Sequence, residues 1–563
     1  MTESLDHEAH QRLLSRRTLI VTAAGAAAVG LMARVATAAP ANRAGAGNER
    51  GQTAKQGGTA VYLLGQEGSH LVPSFSSLST VIVPTAPFFN GLTKPDGDLA
   101  PIPDLAESWA VSDDGLQYTF TLRQGVTWHD GQPFTAADVK FTWELISHPE
   151  NTSAAQLYSF FSVLEGANEF HTGTANEITG VKVIDDYTLQ ATLTTPSAPF
   201  LTIGSNQYIV PKHVLGEIAV GDILTSDYAR NPIGTGPFVF QAWNTGDSII
   251  AAANENYFDG RPNLDQLVLR FGGDLDGNAI ISALKAGEVN AAAVPLEFLD
   301  VIKDDPDLRV LQKPGRANQY IEFNLTSQFF NDLNVRKALS FALNRAEISE
   351  LTWQNRSKIY NSVFPYDWWP TKQDTTIFDN DQTQAAALLD AAGWVAGSDG
   401  IREKDGVRFS FTLYAFDQPW WLVVQQQWKA LGVEANLEIV DWPTMSTQFY
   451  LTHQFDAVAL NVPYTLYTDP HYALPGYFLS ANNRNSYNNP KSDELILGAA
   501  AISDQTERQK LYYEWQEVIA QDVPHLWLGN PDQVYAYTVN LSAPDRVSDY
   551  FAFREIRDWA FTE

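Results

Sequence analysis

The sequence predicts a mixed α/β protein with two or three lobes. Three observations carry that expectation. The chain has 563 residues, more than a single hydrophobic core usually serves. Stretches with period-2 alternation are interleaved with stretches of helical period along its length. Long irregular segments separate them, and no internal repeat is visible.

The elements follow in order. TAVYLLG (59–65) opens as a strand. IVPTAPFFNGLT (82–93) runs apolar and then breaks at Gly91. YTFTLR (118–123) alternates, with Tyr118, Phe120 and Leu122 on one face, which is the pattern of a half-buried strand. TWHDGQPFTAADVKFTWE (127–144) follows. Asp130-Gly131 is a turn, since glycine accepts positive φ at no steric cost. Thr135 and Asp138 stand at capping-box spacing before Val139, Trp143 and Ile146. His129 and Asp130 are read as scaffold, because no nucleophile stands nearby to complete a triad. VKVIDDYTLQATL (181–193) reads as a hairpin turning at Asp185-Asp186, and GPFVFQAW with DSIIAAAN (236–254) as a second strand pair.

Further on, AIISALKAGE (279–288) is a helix ending near Gly287. VRKALSFALNRAEI (335–348) reads as one helix with Val335, Leu339, Ala342 and Leu343 on one face. DQTQAAALLDAAGW (381–394) is a helix stopped by Gly393. VVQQQWKALG (423–432) is a helix leading into the strand VEANLEIV, and RQKLYYEWQEVIAQDVP (508–524) a late helix ended before Pro524.

Composition narrows the function. The net charge is −29, and −30 without residues 1–38, which argues against binding a phosphate backbone. Cysteine is absent, so disulfides, thiolate metal sites, a cysteine nucleophile and a lipid-modified cysteine are all excluded. Aromatics are plentiful, with 15 Trp and 22 Tyr. They serve a large core or a lined cleft, and composition does not separate the two.

The N-terminus reads as an export leader. In SRRTLIVTAAGAAAVGLMARVATAA (15–39), Arg16 and Arg17 precede a weakly apolar run, and Ala36-Thr37-Ala38 offers a small-residue cleavage site after Ala38. The start resembles a twin-arginine signal. Residues 1–38 are thus expected to be a signal peptide and 39–56 a flexible linker.

Motifs for other chemistry fail on their own terms. Asp274-Leu-Asp276-Gly-Asn278 hints at a calcium loop, but Ala279 and Lys285 stand where glycine and glutamate are needed. Asp276 is better read as a helix cap. GTGPF (234–238) has two glycines, but Pro237 removes a donor and no Lys-Ser/Thr follows. No Gly-x-Ser-x-Gly elbow occurs. No metal and no cofactor is expected.

LAESWAVSDDGLQYTFTLRQGVTWHDGQPFTAADVKF (105–141) resembles the characteristic segment of the family 5 solute-binding proteins, the peptide-, nickel- and oligosaccharide-binding subunits of ABC importers. GGT (57–59), NGLT (90–93), GTGPF (234–238), NENYFDGRPNLD (254–265), LKAGEVN (284–290), VRKALSFALNR (335–345), LLDAAGW (388–394) and LGV (431–433) continue the likeness in order. The resemblance implies a two-lobed periplasmic-binding-protein-like fold (type II, cluster C) with an extra inserted domain. Lobe I would comprise 57–91, 201–310 and 530–563, the inserted domain 92–200, and lobe III 311–529. Two crossing strands would join the lobes, which would close on ligand by hinge motion.

The resemblance also places a cleft. In peptide-binding members an Asp of lobe III meets the ligand amine in a W-x-x-D-x-x-(D/E)-P context. Here NVPYTLYTDPHYALPGYF (461–478) aligns, with Asp469-Pro470 matching the end, Leu466 (or, with a gap, Thr465) at the amine-binding position and Pro463 at the tryptophan. Asp469 is the candidate substitute. Trp368, Trp369, Trp420, Trp421, Trp442, Tyr464 and Tyr467 are candidate stacking platforms for a sugar or peptide. The Trp420-Trp421 pair is read as neighbours on a strand, facing opposite sides. Glu67 and His70, in GQEGSHLVPSF (65–75), are assigned to the lobe I rim by position.

The expected function is a non-catalytic, exported receptor of an ABC importer. It would work as a monomer, take a short oligopeptide or oligosaccharide, and dock to a permease. A secreted hydrolase acting on such ligands and a scaffold-like surface protein are the rival classes.

Overall fold

The computed structural model describes residues 54–563, apart from 77, 273–274, 442–443, 446–448, 450–451, 453, 464–467, 473, 482, 484, 544–551 and 563. The leader residues Arg16, Arg17 and Ala38 therefore lie outside the described residues, as do Trp442, Tyr464 and Tyr467.

The first strand of the larger sheets is β1 (Thr59–Leu64). Then come β2 (Ala106–Val111), β3 (Gln117–Leu122) and helix α1 (Ala136–Ser147). A hairpin, β4 (Val181–Asp185) and β5 (Thr188–Thr192), precedes the short helix α2 (Ala198–Thr202). A run of strands follows: β6 (Phe238–Asn244), β7 (Ser248–Ala253) and β8 (Gln266–Phe271). After α3 (Gly277–Lys285) come β9 (Ala291–Val294), β10 (Leu308–Lys313) and β11 (Ala317–Phe323). Helices α4 (Leu333–Phe341) and α5 (Arg345–Trp353) lead to β12 (Ser357–Lys358). Then come α6 (Gln382–Ala391), β13 (Ser410–Ala415), α7 (Trp420–Ala430), β14 (Glu434–Ile439) and β15 (Ala457–Pro463). Helix α8 (Gln505–Asp522) feeds β16 (His525–Pro531) and β17 (Gln533–Thr538).

Three larger sheets result. The first has the order β10-β17-β9-β1-β8-β7-β6, the second β12-β16-β11-β15-β13-β14 and the third β2-β3-β5-β4. In the first, β1 lies parallel between β8 and β9. In the second, β13 lies parallel between β14 and β15. The third is antiparallel throughout. On β3 the side chains of Tyr118, Phe120 and Leu122 are buried, as the alternation requires.

Local signals act as their chemistry dictates. Thr135 and Asp138 form the reciprocal capping box at the start of α1, and Val139, Trp143 and Ile146 pack inward. Asp276 caps α3 by accepting from Ala279 N at 2.8 Å. The single helix expected over 335–348 is two. Asn344 accepts from Glu347 N at 3.1 Å and so caps a second helix. Val335, Leu339, Ala342 and Leu343 are nonetheless all buried.

His129 and Asp130 do not pair with each other. His129 Nε2 donates to Gly236 O at 3.0 Å while its Nδ1 accepts from Gly234 N at 3.2 Å. Asp130 instead meets His213 at 2.7 Å. The imidazole thus grips the GTGPF turn. Gly234 is required there, because a Cβ would stand 1.8 Å from Phe88 O. Burial pushes the His129 imidazole down to about 4, although its bond to Gly236 and the nearby Asp130 oppose that. The pair is scaffold.

Candidate functional site: facing strand ends at the crossing

Two short connections join the first sheet to the second. Residues 314–316 link β10 to β11, and Asp532 alone links β16 to β17. Register fixes what lies beside them. In the first sheet, Lys313 pairs with Gln533 and Val294 with Val534, so the carboxyl end of β9 adjoins the crossing. In the second, Ala317 pairs with Pro463, so the carboxyl end of β15 adjoins it too. The strands parallel to β9 and β15 end on the same sides. Both sets of carboxyl ends therefore point toward the crossing. In open α/β sheets the loops beyond carboxyl ends are where ligands bind.

The crossing itself is tight. A Cβ on Gly315 would stand 2.0 Å from Pro531 O, so only glycine fits. Gln312 Nε2 donates to Asp532 Oδ2 at 2.6 Å, and Asn530 Nδ2 to Ala317 O at 3.0 Å.

On the first sheet, the loop after β1 holds Glu67 and His70. Glu67 accepts from Trp243 Nε1 at 2.6 Å and from Gly246 N at 3.0 Å. Arg230 lies 4.4 Å over the same Trp243 ring. Glu67 is thereby a brace for its own loop, not an open carboxylate. His70 is buried, accepts from Val72 N at 3.2 Å, and its imidazole is pushed down by burial.

On the second sheet, Trp420 and Trp421 do not lie on a strand. They open helix α7, and both are buried, at 0% and 1% exposure, in the core that also holds Val424 and Trp428. The expectation of opposite-facing neighbours is thus corrected: helix geometry turns both rings inward. Trp421 does reach the rim in one way. Its Nε1 donates to Phe416 O at 2.9 Å, pinning the loop beyond β13. That loop presents Asp417, which is exposed.

Trp368 is buried against Phe364, and Trp369 is half-buried. Trp369 lies 5.8 Å from the Tyr512 ring, with Arg508 5.6 Å over its face. Trp369 therefore packs onto α8, and Trp368 meets the Trp369 ring edge-on at 6.4 Å.

Asp469 is the clearest correction. Its carboxylate is 1% exposed and takes Arg508 Nη1 and Nη2 at 2.8 Å each. Thr202 Oγ1 donates to it at 2.9 Å and His471 N at 2.9 Å. Burial disfavours the charge, but Arg508 outweighs that and holds the carboxyl below its usual range. A carboxylate so occupied offers a ligand amine nothing.

Sequence reading missed Arg508, Thr202 and Asp417. For Arg508 a signal existed: it shares a helix face with Tyr512, Trp515 and Ile519, all buried. An arginine on an apolar face demands a buried anion. Nothing local marks Thr202. Asp417 was legible only once its strand was known to end there.

Two sheets joined by two crossing connections, with parallel-strand ends turned toward each other, define a two-lobed binding-protein fold. The comparisons agree. The model for bacterial extracellular solute-binding proteins, family 5, matches residues 100–485. The chain belongs to that family. It is 30% identical over 465 residues to the oligopeptide-binding protein AppA of Bacillus subtilis (strain 168), covering 80% of this chain and 82% of AppA. It is 28% identical over 488 residues to the dipeptide-binding protein of Escherichia coli (strain K12), covering 80% and 85%. Among solved structures, AppA from Bacillus subtilis in complex with a nonapeptide superposes with TM-score 0.76 at 28% identity, covering 91% of this chain and 100% of that one. NikZ from Campylobacter jejuni in complex with Ni(L-His) gives 0.76 at 26% identity, covering 89% and 99%.

Proposed function

We propose that this chain is the extracytoplasmic receptor of an ABC importer, capturing a short oligopeptide between two lobes and handing it to a membrane permease. The observation that carries the reading is the pair of facing carboxyl ends at the crossing. Residues 57–91, 201–310 and 530–563 form lobe I in this reading, 92–200 the inserted domain and 311–529 lobe III. The relatives that bind peptides support peptide over sugar. The oligosaccharide reading rested on tryptophan platforms, and Trp420 and Trp421 lie in the core.

Tyr464 and Tyr467, just beyond β15, and Trp442, just beyond β14, are the proposed ligand-stacking residues by chain position. With Asp469 occupied by Arg508, Asp417 is the carboxylate proposed for the ligand amine. It is exposed and follows the central parallel strand of the second sheet. The receptor is proposed to act as a monomer, without cofactor and without turnover, after export through the twin-arginine-type leader. Among the described residues no helix is long and apolar enough to cross a membrane.

The test is thermal unfolding of the purified chain with defined tri- to nonapeptide pools and, separately, with oligosaccharide pools. A ligand at about 100 times its Kd stabilises by about 2.7 kcal/mol. Upshift by peptides, which are recovered intact, supports the reading. Upshift by sugars alone, or cleavage of the peptide, overturns it.

A further inference from the structure

The Asp469–Arg508 pair has a third member from a distant part of the chain. Thr202 ends α2, 267 residues before Asp469. This helix packs with the third sheet: Phe200 lies in T-shaped contact with Tyr118 and Trp143. Asp469 follows β15 of the second sheet. The bond from Thr202 Oγ1 to Asp469 Oδ2 therefore spans from the third sheet's side to the second sheet's side, two separate sheets whose apolar residues meet in one buried cluster at this seam. It is matched in return, since Thr468 Oγ1 donates to Thr202 O at 2.5 Å. Alongside, Phe160 stacks on Tyr472 at 4.9 Å and 23°. Leu99, Pro101 and Asn206 lie beside Thr202 and Thr468 at this seam.

The design of this contact is informative. Arg508 already supplies Asp469 with two charge-assisted bonds, so the carboxylate is held in place from the second sheet's side alone. Arg508 is itself braced by Tyr512, whose OH accepts from Nη2 at 3.0 Å. Thr202 adds one neutral hydroxyl to an acceptor that is already charged and positioned. Such a bond contributes modestly, so it can be made and released without stranding a buried charge.

We infer that the Asp469–Arg508 pair is a preformed receptor for Thr202, and that this docking is a reversible latch between the inserted domain and the second-sheet lobe. The latch sets how far the molecule stays closed, and so how tightly it holds what lies at the crossing, without touching that ligand. The inference rests on the two-lobed binding reading, but its test needs no ligand and can fail separately from it.

The chain contains no cysteine, which allows a clean trap. Thr202→Cys combined with Thr468→Cys in the full chain should form a disulfide when an added mild oxidant takes up the two electrons and two protons of the thiols, seen as a loss of two hydrogen atoms by mass spectrometry. The locked protein gives the radius of gyration of the docked state by small-angle scattering. Parent protein and Thr202→Val are then measured beside it, with Thr202→Ser as the variant that keeps the hydroxyl. The latch is supported if the parent is larger than the locked form. It is also supported if the parent matches the locked form while Thr202→Val is larger and Thr202→Ser is not. It is overturned if all forms have the same radius, which makes the contact static packing, or if the disulfide does not form in folded protein. Circular dichroism of each variant separates these outcomes from loss of fold. Where the latch holds, weaker peptide binding by Thr202→Val, restored by Thr202→Ser, ties it to affinity.

Discussion

Arg508 holds Asp469 through two parallel N–H···O bonds of 2.8 Å, with their side chains only 5% and 1% exposed. The aligned acid of the cleft is therefore spent inside the protein. Removing the cation leaves a buried carboxylate without its partner. Arg508→Met alone is expected to cost about 3–5 kcal/mol. Combining it with Asp469→Leu should recover most of that loss, because two apolar groups replace both charges. Urea unfolding of the single and double variants measures this. Equal stabilities for Arg508→Met and the parent would mean the pair is not a buried ion pair in solution.

Trp420 separates core from cleft. It is fully buried with Val424 and Trp428 on α7. Trp420→Ala should lower stability by about 3–5 kcal/mol, the usual range for deleting a large buried ring. Trp420→Phe should be milder and leave peptide Kd within about twofold, far below one tenfold step of 1.4 kcal/mol. Calorimetric titration of Trp420→Phe decides. Lost binding with unchanged stability would return Trp420 to the list of ligand platforms.

His129 should make the fold acid-sensitive. Its folded pKa, about 4, lies below the ordinary value of 6.5. The unfolded chain therefore binds a proton that the folded chain refuses between those values. Its contribution is fully present above pH 6.5 and is lost as pH falls toward 4. The difference amounts to about 1–3 kcal/mol after allowance for solvent at this partly buried ring. His129→Gln keeps a donor for Gly236 O and an acceptor for Gly234 N without titrating. Its stability between pH 4 and 6.5 should fall less steeply than the parent's. Parallel pH profiles would contradict the assignment.

Asp417 is the carboxylate proposed for the ligand amine. Asp417→Asn should weaken a free-amine peptide about five- to tenfold, about 1–1.4 kcal/mol. The same variant should bind the N-acetylated peptide as the parent does. Equal loss for both peptides would show a local disturbance rather than recognition of the amine.

Much of this fold was legible because local chemistry and the final structure agree. The alternation of 118–123 and the capping pair Thr135 and Asp138 needed no partner from elsewhere. Where reading failed, a competing local signal had been passed over. Asn344 and Glu347 stand at capping spacing inside what looked like one helix. Trp420, Val424 and Trp428 recur every four residues behind Pro419, a helical repeat hidden by the Trp-Trp doublet. The partner of Asp469 was a different case: the helix face of Arg508 signalled a buried anion, but which anion it meets depends on the fold. Asp469 looks like a free acid until Arg508, 39 residues on, and Thr202, 267 residues back, are brought to it by two different helices.

The central claim is capture of a peptide at the crossing of two lobes. It is tested most directly by purifying the mature protein from its native host, unfolding it and identifying what is released by mass spectrometry. Short peptides, in about one equivalent per chain and absent from a mock purification, are the expected result. A ladder of hexoses in their place would contradict the account and return the cleft to its aromatic residues.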